Sequence, residues 1–406
     1  MGAKSTPAIE KAETLKSDYG LEYLGFRNLN QVYWNLSVDA LYKEAAFRKE
    51  CDCSETGPMK IDTGKYKSLV VNDRFIVREP ETEDKINWGI NNRPFSPDKF
   101  DIVYYRMLGF LQKRDLFVQD GFAGTDPNYR QPIRVITEKT WQSLYAKNIL
   151  IPADIDTELP QFVPEFTILS VPSFQAQSEI DGTTSEAFVI INFERKLALI
   201  GGTAFAGEIK NVISSIVNYL LPHNNALTMF CSASIDSKKD TALFFGDVDS
   251  GKTALISDSK HQLISNDMSG WSDEGLFNIE GGLHSKLQSL SNEKTPDRYA
   301  CSKKFGTVLE NPDSPNGQMT CPLQYLENAY TDKTADFPKN IFLLTSDCLG
   351  VLPLVSKLTA DQAMYHFMSG YTSVIKDEKP EITFDTCYGE SLLVHSPYFY
   401  AEKLRN

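Results

Sequence analysis

The stretch TALFFGDVDSGKT, residues 241–253, decides the reading of this chain. Residues 241–245 form a short apolar run of strand length, Gly246 opens a glycine-bounded loop, and Lys252 and Thr253 close it. A helical pattern starts there, and a second strand-like run, 262–265, ends in Asn266 and Asp267. The spacing is GxxxxGKT in the setting that gives it meaning: strand, loop, helix, then a strand carrying a carboxylate. Glycines let backbone N–H groups turn inward around phosphate oxygens, the start of the helix adds partial positive charge, and the lysine reaches the outer phosphates. Gly246, Asp247, Val248, Asp249, Ser250, Gly251, Lys252 and Thr253 are therefore the candidate nucleotide-binding set, with Thr253 and Asp267 as ligands of a nucleotide-bound Mg²⁺. Asp247 and Asp249 weigh slightly against ATP, since carboxylates facing a triphosphate repel it.

Upstream, residues 206–221 read as a helix stopped by Pro222, and the Pro222-His223-Asn224-Asn225 break sets the expected domain boundary. Earlier strand-like runs are 68–77, 116–119, 133–137, 166–171, 187–193 and 197–201, with a hairpin turn at Glu194-Arg195-Lys196. Residues 36–49 read as an amphipathic helix that begins after Asn35. Downstream, NPDSPNG (311–317) is a turn-rich loop, residues 341–345 read as another buried strand, and His366 as a packed helix residue. The divisions expected are an N-terminal extension (1–30), an α/β domain (31–223) and a phosphate-loop domain (224–406).

Composition bounds the partners. The 406 residues carry a net charge of −13, which removes the general attraction to phosphate backbones on which nucleic-acid binding depends. Seven cysteines, an odd number of which only Cys51 and Cys53 are close together, fit a reduced, intracellular setting: cytoplasm, cytoskeleton or organelle surface, not secretion. The five histidines never fall at metal-ligand spacing. The most apolar stretch, 340–355, holds Asp347 and Pro353 and is too short to span a bilayer. The opening MGAKST fits the myristoylation pattern, making Gly2 a candidate lipid anchor.

Longer motifs resemble the ATP-dependent phosphoenolpyruvate carboxykinase family. They include DTGKY (62–66), DRFIVREP (73–80), NNRPFSPDKFD (91–101), RDLFVQDGFAGTDPNYR (114–130), FVIINFERKLALIGGTAFAGEIK (188–210), GWSDEGLFNIEGG (270–282), VLEN (308–311) and TSDCLGVLPLVSKLTADQAMYHFMSGYT (345–372). The resemblance implies an α/β fold of carboxykinase type: an N-terminal α/β domain and a phosphate-loop domain lacking its C-terminal part, with the active site between them. It also implies decarboxylation of oxaloacetate and phosphorylation of the enolate by ATP, using Mg²⁺ with the nucleotide and a second ion, Mn²⁺. Lys252, Thr253 and Asp267 match the family, and Glu310 matches a family acid near the nucleotide.

Five positions depart from it. Leu69 and Gln318 stand where the family has substrate-binding arginines, Phe205 replaces a tyrosine, and Asn211 and Phe230 replace a lysine and a histidine of the Mn²⁺ site. The resemblance also implies that family chains continue past residue 406 with groups that hold adenine. Together these differences lead to the expectation of a non-catalytic homologue with its second metal site lost and its pocket apolar and dry. Such a chain would be a structural or assembly subunit whose protein partner covers the uncovered C-terminal surface. A related reading keeps nucleotide binding as a sensor, and the alternative is an active carboxykinase.

Overall fold

The computed structural model describes residues 15–53, 56–246, 250–256, 260–376, 378–384 and 393–405. Its largest element is an eight-stranded mixed sheet. The spatial order is Val32–Trp34, Leu116–Ala123, Gln131–Thr137, Phe166–Val171, Leu197–Gly201, Phe188–Asn192, Arg74–Val77 and Arg93–Phe95. The strands are apolar on both faces, as burial on two sides requires. Val135, Ile168, Ile191 and Ile200 pack into one core with the helices Thr140–Ile149 and Gly207–Leu220. The alternate residues Ile136, Leu169, Ile190 and Leu199 enter a second core with the helix Pro97–Phe110. Ile209, Val212, Ile213, Ile216 and Val217 recur at helical spacing, which puts one stripe of Gly207–Leu220 against the sheet.

The expected hairpin is present: Leu197 faces Asn192, and Lys196 turns the chain in the left-handed region at φ 52°. Two boundaries move. The helix at 36–49 is Val38–Phe47, capped by Ser37, whose side chain accepts from the Ala40 N–H at 3.2 Å. Asn35 lies at φ 47° and is buried, with its amide donating to Leu15 O and accepting from Asp120 N. The strand expected at 68–77 is only Arg74–Val77. Before it, Val71–Asp73 forms a 3₁₀ turn, and the Asp73 carboxylate accepts from Thr184 and Ser185.

The phosphate-loop strand Thr241–Phe245 lies inside a four-stranded sheet ordered His261–Ser265, Ser232–Asp236, Thr241–Phe245, Pro338–Leu343. The buried strand expected at 341–345 is thus Pro338–Leu343, and it is an edge. With one neighbour only, it leaves Ile341 and Phe342 over two-fifths exposed. A five-stranded sheet takes chain from both sides of residue 223, in the order Gly282–Lys286, Gln318–Pro322, Val308–Glu310, Met59–Ile61, Asp52–Cys53. Met59–Ile61 pairs in parallel with Val308–Glu310, and Thr63 bonds Asn311 just beyond, through its N–H to Oδ1 at 2.9 Å. Among the described residues no helix is long and apolar enough to cross a membrane.

Candidate active site

Gly246 ends its strand at φ 151°, where a Cβ would come within 2.5 Å of Ser250 Oγ and 2.9 Å of Leu344 O. The turn therefore excludes a side chain. Gly251 follows at φ 86°, and the helix Lys252–Ile256 begins at once. Lys252 is half-buried at its start. Asp247, Val248 and Asp249, together with Gly2, lie outside the described residues.

Asp267 follows the strand His261–Ser265 and lies near enough to Lys252 for the two charges to act on each other. Its Oδ2 accepts from Lys210 Nζ at 2.7 Å, and Glu280 Oε1 lies 3.4 Å from the same ammonium. Lys210 stands in the first turn of Gly207–Leu220, so the cluster joins that helix to the phosphate-loop half of the molecule. Burial alone would raise the Asp267 carboxyl, but Lys210 and Lys252 together hold it well below the usual carboxylate range. Burial likewise works against the Lys210 ammonium, and the two carboxylates hold it above the ordinary lysine value. Glu280 moves the other way, because its burial outweighs the pull of Lys210.

Neighbouring groups brace the cluster. Arg298 donates to Asn266 Oδ1 at 2.7 Å and to Ser285 Oγ at 3.1 Å, fixing the backbone next to Asp267. His284 Nδ1 is 3.0 Å from Thr320 Oγ1, and burial pushes the ring down to about 3, so it stays neutral at physiological pH. Sequence reading singled out none of Lys210, Glu280, Arg298 or His284. The signal available for Lys210 and Glu280 was their place inside AGEIKN and LFNIEGG, motifs read for ancestry rather than for charge.

Glu310 is brought to the helix, not to the loop: its Oε1 accepts from the N–H of Ala206, the cap residue of Gly207–Leu220, at 2.8 Å. Its other oxygen is buried without a partner, and burial pushes the carboxyl up to about 8. The sign follows from linkage. With the native pKa raised above that of the unfolded chain, the native state binds the extra proton between the two values, so this group's stabilisation falls as pH rises through about 8. Wild type is expected to lose up to ~1.4 kcal/mol per pH unit from this group between pH 5 and 8. Glu310→Gln should flatten that part of a urea-denaturation profile; an unchanged slope would show that Glu310 is ionised in the native state.

The five departures do not share one environment. Phe205 is fully buried, and Phe230 is half-buried against two cores. Leu69 is 41% exposed, which corrects the expectation of a uniformly filled, dry pocket: its loop runs over the surface, pinned where Glu208 Oε1 accepts from Val70 N. Asn211 keeps a buried Nδ2 without a partner, while its backbone carbonyl accepts from Arg74 at 3.4 Å. Gln318 begins the strand Gln318–Pro322 with its Oε1 buried and unpartnered. Among the described residues no group of three or more His, Cys, Asp or Glu is placed to hold a metal ion.

Residues 30–406 match the family model described as phosphoenolpyruvate carboxykinase. A relative from Geotalea uraniireducens is 43% identical, the match covering 95% of this chain and 77% of its own length. One from Pelobacter propionicus is 44% identical with the same coverage, and one from Geobacillus kaustophilus is 44% identical over 92% of this chain and 74% of its own. All three are named phosphoenolpyruvate carboxykinase (ATP). That finding overturns the expectation of a non-catalytic structural subunit, and with it the lipid-anchored scaffold at Gly2, because relatives this similar carry the name of the enzyme. The matched span and the identities agree: the chain belongs to the ATP-dependent phosphoenolpyruvate carboxykinase family, whose members use ATP and a divalent metal.

Proposed function

We propose that this chain converts oxaloacetate and ATP to phosphoenolpyruvate, ADP and CO₂. The observation that carries the reading is the Lys210–Asp267–Glu280 cluster beside the phosphate loop. Two lysines, Lys210 and Lys252, act on one firmly ionised carboxylate, and burial drives Glu280 and Glu310 toward their neutral forms. Lys210 and Lys252 thus bring positive charge to the site, as transfer between a triphosphate and an enolate demands. Lys252 is the group that meets the outer phosphates. Lys210, fixed before substrate arrives, offers its charge to the oxygen that becomes anionic as CO₂ leaves, the preorganised arrangement in which such a charge is most effective. Thr253 and Asp267 are the residues that would hold the nucleotide's divalent ion, which when bound neutralises phosphate charge.

We infer further that the second ion implied by the resemblance has no site at Asn211, Phe230 and Asp267. A phenyl ring offers no lone pair, and with Asn211 in place of the lysine only Asp267 is left of the three family ligands. The Lys210 ammonium takes up that positive charge instead.

The test is a coupled assay for phosphoenolpyruvate formation from oxaloacetate, ATP and Mg²⁺. Wild type is expected to turn over with a KM for oxaloacetate above the ordinary ~1 mM ceiling, since positions 69 and 318 carry no cation. Leu69→Arg places a guanidinium on an exposed loop and should lower that KM about tenfold, the worth of one charged hydrogen bond, with kcat little changed. Product formation no faster than in the absence of protein would sink the proposal.

A further inference from the structure

Cys53 ends the outermost strand of the five-stranded sheet, Asp52–Cys53, and Cys51 stands just before that strand. Their sulfurs lie 2.9 Å apart, within about 1 Å of bonding distance. Both thiols are half-buried against the core beside Tyr42 and Phe305. Burial and the neighbouring sulfur both raise the Cys51 thiol, so Cys51 keeps its proton and donates toward Cys53. Attack on a disulfide needs a thiolate, and here the second sulfur already stands within reach of the first.

We propose that Cys51 and Cys53 are a thiol–disulfide site, oxidised by exchange with a small disulfide of the glutathione class. Cys53 Sγ, on giving up its proton to solvent, attacks one sulfur of the donor and expels its first thiol. Cys51 then gives up its proton and attacks Cys53 Sγ, expelling the second. Two protein thiols become one disulfide, and one donor disulfide becomes two thiols, so atoms and electrons balance without any metal.

Closure has a structural cost that makes the site responsive rather than inert. A fully extended span from Cys51 to Cys53 would separate the Cα atoms by about 6.6–6.8 Å, at the upper limit that a disulfide spans. Bridging must therefore shorten the strand, and the pairs that give way are Asp52 with Lys60 and Cys53 with Met59. Beyond Lys60 the same chain carries the Thr63–Asn311 bonds and the loop that bears Leu69. Oxidation thus loosens the strand pairing at this edge of the sheet, and reduction restores it.

The full chain is equilibrated with excess oxidised glutathione, its free thiols are capped, and the mass and peptide map are read, with hydrogen exchange followed over residues 51–63. The expected result is loss of two hydrogens mapped to the peptide joining Cys51 and Cys53, with faster exchange at the amides of Lys60 and Ile61. Reduction should reverse both. Cys53→Ser and, separately, Cys51→Ala should abolish the mass change, while Cys301→Ser, in a buried pair elsewhere, should leave it intact. No mass loss, a bridge mapped to Cys301 and Cys321, a stable mixed disulfide with glutathione, or closure without change in exchange would each overturn the proposal.

Discussion

Replacing Lys252 with alanine is expected to lower kcat for phosphoenolpyruvate formation by about 10³-fold and leave the fold intact. Phosphoryl transfer is catalysed almost wholly by position and charge, and one preorganised group of this kind is worth ~10²–10³ in rate. Lys252 also helps to hold Asp267 ionised, so its loss weakens a second member of the site. The side chain is half-buried at the start of a five-residue helix, so the thermal midpoint should move by no more than ~2 °C. Initial rates at saturating ATP, with circular dichroism as the folding control, decide the matter. Activity within tenfold of wild type would mean that the phosphates are held elsewhere.

Arg134→Met should destabilise the protein by ~3–5 kcal/mol, a large share of the ~5–15 kcal/mol that holds a typical domain folded. Arg134 and Asp120 are both fully buried in the large sheet, joined by two bonds, Nε to Oδ1 at 2.7 Å and Nη2 to Oδ2 at 3.0 Å. The remaining guanidinium nitrogen donates to the carbonyls of Tyr19 and Gly20, tying the first described segment to the sheet. Removing the cation strands a carboxylate where water cannot reach it. The double variant Arg134→Met with Asp120→Leu should recover most of the loss, because it removes the stranded charge and not only its partner. Urea denaturation of wild type, single and double variants reads both effects. A single variant within 1 kcal/mol of wild type would contradict the burial of this pair.

Much of the framework was legible because apolar runs bounded by turn residues announce strands: 166–171, 197–201 and 241–245 fold as strands over those same residues. The glycine and lysine spacing of 246–253 has a mechanism behind it, but residues 247–249 lie outside the described residues. What the sequence concealed depends on long-range contact. Asn35 and Ser37 look alike as caps, and only the left-handed backbone at Asn35 decides between them. Residues 341–343 are as apolar as a core strand, yet nothing local says that the sheet ends there.

The function was misjudged by the same route. Five replaced side chains could be read one position at a time, and they suggested lost chemistry. Lys210 meets Asp267 across 57 positions, so the charge the cleft retains became visible only when the chain was folded.

The parallel pairing of Met59–Ile61 with Val308–Glu310 also sets a timetable for the nascent chain. Its second member is made about 250 positions after the first, which at ~5–20 residues per second leaves an unmatched β edge on the ribosome for roughly 12–50 s. Cellular yield should therefore respond to chaperone supply and to growth temperature more strongly than the melting point of the purified protein would suggest.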